Sequence, residues 1–554
     1  MGGADRHPSR REIVSGATAA LGLTMVLPAG ADRAAAATES VTVEIESGKL
    51  RGTRENGAIN FKGVPYAADT SGANRFMAPR PVANWSGTRD ALGYGDRCPQ
   101  VREYRTGAFG WLAPSEPFSE NCCVLNIFTP RLDSGARRPV MFYIHGGGYI
   151  TGAGSGPALE GSNLAKFGDV IVVTINHRLN VFGHTNLGHL DAELFGDAVN
   201  AGLLDIVAAL QWVKKNISAF GGDPGNVTLF GQSGGGSKIV LLMAMPAAKG
   251  LFHRAVDMSG ATGFSPSKVS ATEPFTNEIL KTLGIDRTNL RKLQELPIDA
   301  LLKARAAAIT ALKSDGSRPV VDGRHLPAAP TSVEGLAIHA NVPLMIGTVD
   351  TESTYYLAAD MRNFTVTAEQ VKARIKDQFK IDDTKALTIM DTYAKAEPKR
   401  TGADILIALA TDVQFRNAII RGAEAKANDQ KAPVYLYNFT WYAPADGGVY
   451  RAPHTIDIPF VFGNTDKSVA LTGSGAEPAE VARNVMSAFV AFARNGNPNN
   501  PHLPEWKPYD TTTRATMTFN VKCAVVSDFR GAERRASADL RLEANRRPLL
   551  KYSE

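Results

Sequence analysis

Cysteine is scarce in this chain: four residues in 554, at Cys98, Cys122, Cys123 and Cys523. No group of histidines and cysteines has metal-ligand spacing, which argues against a zinc or other metal site. Dense Lys/Arg runs interleaved with aromatics are also missing. The net charge of +6 is spread along the chain, so a nucleic-acid partner is not expected and a neutral small molecule is. Beyond the N-terminal stretch no run is apolar enough to span a membrane. There is no internal repeat. Nor does the chain have the low hydrophobicity or charge excess of a disordered protein, since 44% of residues are hydrophobic and 21% charged.

What is present begins with a leader. Ser9-Arg10-Arg11 precedes a mildly apolar stretch from Ile13 to Leu27 and small residues around Ala29-Gly30-Ala31 and Ala34 to Ala37. This pattern reads as an export signal over residues 1–37, of the twin-arginine kind, and places the protein outside the cytoplasm. An exported protein can form disulfides, and a Cys98–Cys122 bridge would stabilise by about 3 kcal/mol through chain entropy. The adjacent Cys122 and Cys123 leave the pairing open.

Residues 38–554 read as a single large domain. Apolar runs at Val140 to Ile144, Val170 to Thr174, Val227 to Phe230, Leu344 to Ile346 and Val434 to Phe439 have the length and bounding turns of buried strands. Between them lie helical patterns such as Asn200 to Asn216, with Leu203, Leu204, Val207, Leu210 and Val213 at spacings of three and four. Alternation of this sort predicts an α/β fold with a large, mostly parallel sheet covered by helices on both faces. The stretches from Ser265 to Leu312 and from Thr365 to Lys426 are predicted to be mainly helical excursions that cap the active site.

One place fits Gly-x-Ser-x-Gly: Gly231-Gln232-Ser233-Gly234-Gly235, directly after the strand through Phe230 and before a helix-forming stretch. In that context a sharp strand-to-helix turn holds Ser233 exposed at the carboxyl edge of the sheet, poised as a nucleophile. The neighbouring Gly234-Gly235-Gly236-Ser237-Lys238 is superficially like a phosphate loop, but Gly-Lys-Ser/Thr at the helix start is absent, as is a dinucleotide fingerprint. His145-Gly146-Gly147-Gly148 follows another strand. There, Gly147 and Gly148 can offer two backbone N–H groups to an oxyanion, with Gly234 supplying a third.

A serine needs a histidine base, itself oriented by a carboxylate, in the chain order Ser, Asp/Glu, His. Only His454 and His502 lie far enough downstream. His502 sits in an Asn/Pro-rich surface loop, whereas His454 precedes the apolar Ile456, Ile458, Phe460, Val461 and Phe462. Asp350 and Glu352 both follow the strand ending near Ile346, and spacing does not separate them.

Further motifs resemble the type-B carboxylesterase family of bacterial esterases, cholinesterases and some lipases. They include Phe61 to Ala67, Arg75-Phe76, Glu120 to Asn126, Asn176-His177-Arg178, Gly202-Leu203-Leu204-Asp205, Phe220 to Pro224, Val320 to Gly323 and Ile458 to Gly463. The likeness covers nearly the whole chain after the leader. It implies an α/β-hydrolase fold, a Ser233–Glu352–His454 triad, a disulfide between Cys98 and Cys122, and hydrolysis of carboxylic esters without metal or organic cofactor. Amide, carbamate or thioester hydrolysis, and a non-catalytic binding protein of esterase-like build, are the alternatives. Two departures stand out. The residue before the nucleophile is usually Glu in the family but here is Gln232, which argues against cationic choline esters. Ser353 replaces the usual glycine after the acid. Trp111 lies near the position of the cholinesterase cation platform, although a loop tryptophan more often serves packing.

Overall fold

The computed structural model describes residues 39–101 and 107–540, so the leader expected at residues 1–37 lies outside the described residues. Strand β6 (Arg138–Ile144) shows why the central strands are buried on both sides. Val140, Phe142 and Ile144 point into one apolar cluster, while Met141 and Tyr143 point into another, as the two-residue period of a strand requires. Strand β13 (Val434–Phe439) divides the same way, with Val434 and Leu436 on one face and Tyr435, Tyr437 and Phe439 on the other.

Among the described residues the sheet has 13 strands in the order β1-β2-β3-β5-β7-β6-β8-β9-β12-β13-β14-β15, with β4 paired to β2. These are β1 (Glu39–Ile45), β2 (Gly48–Glu55), β3 (Ala58–Pro65), β4 (Thr88–Asp90), β5 (Val124–Thr129), β6, β7 (Ile171–Ile175), β8 (Gly222–Gln232), β9 (Arg254–Met258), β12 (Leu344–Val349), β13, β14 (Thr516–Phe519) and β15 (Ala524–Val526). The short strands β10 (Ser267–Lys268) and β11 (Val320–Val321) pair separately. From β7 to β14 all pairings are parallel, so the carboxyl ends of β6, β8, β9, β12 and β13 line one edge of the sheet. Apart from β4, which runs parallel to β2, the flanks are antiparallel: β1, β2, β3 and β5 meander up to β7, and β15 closes the far edge. The flanking hairpin is half exposed and alternates in burial, in contrast to the solid apolar runs of the centre.

Helices cover both faces. Ala201–Asn216 buries nearly every residue against the first cluster, and Ala476–Asn495 packs Phe489 and Phe492 into the second. The two excursions are helical as predicted. Glu273–Leu283 and Ile298–Leu312 form one, and Ala368–Phe379, Asp383–Ala396, Gly402–Thr411 and Asn417–Asn428 form the other. Each has its own apolar cluster. A turn of π-helix at Asp412–Arg416 interrupts the second excursion. No helix among the described residues is long and apolar enough to cross a membrane.

Motifs far apart in the chain meet through buried ion pairs. Arg178 grips Asp205 at 2.7 and 2.8 Å, tying the loop after β7 to the helix Ala201–Asn216. Arg75 does the same to Glu120 at 2.5 and 2.7 Å. Removing one partner of such a buried pair strands the other charge. The expected Cys98–Cys122 bridge is not formed: all four cysteines are free thiols. Each sulfur has other partners, since Cys98 Sγ accepts the Leu179 N–H at 3.2 Å and the Cys122 thiol is hydrogen-bonded with both Cys123 and Cys98.

Candidate active site

Ser233 stands between β8 and the helix Gly234–Leu242 with φ 56° and ψ −122°. A non-glycine residue rarely adopts that backbone conformation, and here it is held by a 2.7 Å bond from Ser233 N–H to the Met258 carbonyl and a 2.9 Å bond from Ser237 N–H to the Ser233 carbonyl. The turn brings two backbones into contact. A methyl group at Gly234 would sit 2.5 Å from the Gly148 nitrogen and 2.2 Å from its carbonyl oxygen. Gly147 and Gly148 themselves have φ +87° and +64°, the left-handed region that glycine supplies without strain. Thus the three glycines singled out in the sequence converge beside Ser233.

His454 lies in the turn ahead of the short helix Asp457–Phe462, whose apolar side chains are all buried. Its Nδ1 is 2.5 Å from Glu352 Oε2. The other carboxylate oxygen, Oε1, accepts from Ser259 Oγ at 2.6 Å and from Val349 N–H at 3.0 Å. Both His454 and Glu352 are buried. Asp350, the competing acid, faces elsewhere: its carboxylate receives Arg530 at 3.1 Å twice, Tyr442 at 3.0 Å and Asn438 at 3.3 Å. His502 is exposed on its loop.

Around the imidazole the structure places Gln232, read in the sequence for its missing charge, and aromatic rings that the sequence reading did not name. The Gln232 Nε2 lies 3.4 and 3.3 Å from the two ring nitrogens of His454. Phe415, presented by the π-helical turn, has its ring centre 4.9 Å from that of His454, with Tyr356 at 5.5 Å and Tyr355 at 6.0 Å. Phe109 extends this wall by packing edge-on to Tyr355 and Tyr450. Trp111 is buried in the core cluster that includes Ala158 and Leu159, which is a packing role. Buried Ser353 keeps its place by donating its N–H to Thr411 Oγ1 at 3.2 Å.

Two further acids lie near Glu352. Burial, opposed by the Gly260 N–H and reinforced by Glu352, pushes Asp257 up to about 8. Burial and then Glu352 push Asp457 up to about 8 as well. Both therefore carry protons at neutral pH and leave the site with little negative charge. Their linkage to stability has a definite sign. A folded-state pKa raised above the unfolded one means that the native protein binds more protons, so stability is full below about pH 4 for these groups and is lost as pH rises through about 8. Asp257→Asn, a neutral mimic of the protonated acid, should therefore flatten the fall in Tm between about pH 5 and about pH 8, where each such group removes up to about 1.4 kcal/mol per pH unit. Differential scanning calorimetry at several pH values checks this; an unchanged slope would show that Asp257 is ionised in the fold.

A parallel-centred sheet with a strained serine at the end of β8, adjoining a glycine-rich loop and a histidine–carboxylate pair, is that of an α/β-hydrolase. Residues 39–536 match the model of the carboxylesterase family, and the chain belongs to that family. It is 36% identical over 492 residues to the para-nitrobenzyl esterase of Bacillus subtilis (strain 168), covering 88% of this chain and 96% of the relative. The phenmedipham hydrolase of Pseudarthrobacter oxydans is 33% identical, with 87% and 95% covered. Among solved structures, a carboxylesterase of Geobacillus stearothermophilus superposes with a TM-score of 0.77 at 35% identity, covering 89% of this chain and 99% of the other. The protein is accordingly a serine hydrolase of carboxylic esters.

Proposed function

We propose that Ser233 is the nucleophile, His454 the general base and then acid, and Glu352 the group that orients His454, with Gly147, Gly148 and Gly234 as oxyanion donors. The observation that carries this reading is the short Glu352–His454 contact, with Gln232, the residue before a serine held in a strained turn, at the same imidazole. In the first half-reaction Ser233 Oγ attacks the ester carbonyl as its proton passes to His454. The imidazolium, stabilised by the Glu352 carboxylate, returns that proton to the departing alkoxide. Water activated by His454 then cleaves the acyl-enzyme and restores Ser233.

The substrate favoured by the walls is a neutral ester with a flat apolar group. Gln232 is neutral, Asp257 and Asp457 hold their protons, and Phe415, Tyr355, Tyr356 and Phe109 supply aromatic faces and edges. A carbamate is the second reading, supported by the relative that hydrolyses phenmedipham. Residues 1–37 support export to the periplasm or beyond by the twin-arginine route.

A fluorophosphonate probe followed by peptide mass mapping tests the central assignment. One adduct per chain, on Ser233, is expected. An adduct on another serine would overturn it. Turnover of matched aryl ester and aryl carbamate substrates separates the two substrate classes.

A further inference from the structure

The helix that starts after Ser233 carries a lysine in its second turn. Lys238 is fully buried and donates to the carbonyl oxygen of His145 at 3.1 Å. Among the described residues it has no ion pair with a carboxylate. Burying an ammonium without one is costly, and the burial lowers its pKa to about 7. Its one bond is therefore informative, because His145 immediately precedes Gly146-Gly147-Gly148. One side chain thus ties the helix behind the nucleophile to the loop that carries two of the oxyanion donors.

Three buried imidazoles lie close enough to feel the charge of Lys238. His145, His177 and His184 are buried, and their Nδ1 atoms lie 2.8, 2.9 and 3.1 Å from the carbonyl oxygens of Gly146, Arg178 and Val199. A carbonyl only accepts, so each Nδ1 bears the proton and each Nε2 presents a lone pair. Those three Nε2 atoms have no hydrogen-bond partner among the described residues. Burial first, with the charge of Lys238 acting on each ring, keeps all three imidazoles well below the usual histidine range and hence neutral. His145 and His177 also stack, with ring centres 4.8 Å apart. Lys238 thus lies among rings that its charge helps to hold neutral, and the stack of His145 on His177 backs the loop that carries the His145 carbonyl.

We propose that Lys238 is a positioning residue for ester cleavage: its Nζ clamps the His145–Gly148 loop to the nucleophile helix and, when protonated, sets a positive charge behind the oxyanion site. This rests on the assignment of Ser233, Gly147, Gly148 and Gly234 above. A preorganised charge of this kind acts where negative charge develops, so it favours the tetrahedral intermediate over the bound ester.

The test uses the full-length enzyme and two variants, Lys238→Met and Lys238→Gln, with an aryl ester as substrate. A trifluoromethyl ketone, which forms a tetrahedral oxyanion on a serine, is compared with the unreactive methyl ketone. Lys238→Met should lower kcat by about 10- to 100-fold while KM stays within about threefold. Trifluoromethyl ketone affinity should fall by the same factor as kcat, with methyl ketone affinity unchanged. Lys238→Gln, which keeps an N–H donor without the charge, should recover part of the loss. A kcat within about twofold of wild type in both variants would overturn the proposal, as would equal weakening of both ketones. Should Lys238→Met not fold, the ketone comparison on Lys238→Gln decides alone. Activity in Ser233→Ala would instead overturn the underlying assignment, whereas an inert Ser233→Ala beside unimpaired Lys238 variants would remove only the role of Lys238.

Discussion

Ser233→Ala should lower kcat/KM for an aryl ester by roughly 10⁴- to 10⁶-fold, with the fold intact. The loss is large because no other group can form the acyl-enzyme. What survives is the modest acceleration due to substrate binding and the oxyanion donors, which act on water attack as well. The fold should tolerate the change, since the turn is held by main-chain bonds from Ser233 N–H to Met258 and from Ser237 N–H to Ser233. Alanine has to adopt the same positive φ as serine and loses no further backbone contact. Initial rates on purified protein, with Tm as the control, check the prediction. Turnover within about tenfold of wild type at an unchanged Tm would place the nucleophile elsewhere.

Glu352→Gln should cost about 10⁴-fold in kcat although it changes one atom, and the hydrogen-bond pattern gives the reason. Oε1 receives two donors, the Ser259 hydroxyl and the Val349 main-chain N–H, and the second cannot turn away. A glutamine in this place must therefore put its carbonyl oxygen at Oε1 and its NH₂ against His454 Nδ1. An amide N–H facing Nδ1 forces the ring proton onto Nε2, the nitrogen that has to accept the proton from Ser233. The base is then present in the wrong tautomer. Unlike loss of the serine, this defect should leave slow fluorophosphonate labelling measurable and KM nearly unchanged. A variant with kcat within about tenfold of wild type would show that the orientation of His454 does not depend on Glu352.

Much of this site was legible in the sequence because its parts are local. The strand, the serine between glycines and the following helix occupy adjacent residues, and the glycine run after β6 announces itself by composition alone. His454 was identifiable from the buried segment that follows it. The central strands were legible for a similar reason: full burial leaves unbroken apolar runs. The antiparallel flank, with its half-exposed hairpin, left no such mark and went unread.

What the chain by itself determined is local: an alternating α/β fold, a serine at a glycine-flanked turn between a strand and a helix, and a glycine run after β6. Tertiary structure decided which side chains face them. Asp350 and Glu352 are two residues apart at the end of one strand; spacing does not separate them, the family resemblance favours Glu352, and in the fold Arg530 and Tyr442 pack against Asp350 while His454, Ser259 and Val349 meet Glu352. Phe415 reaches His454 because the π-helical turn at Asp412–Arg416 presents it there. The cysteines stand as thiols, with Cys98 Sγ accepting the Leu179 N–H from the loop after β7. Each outcome depends on atoms brought together from distant parts of the chain. Periodicity and composition report what a residue's neighbours in sequence are, and the charges, rings and sulfurs here are set by neighbours in space.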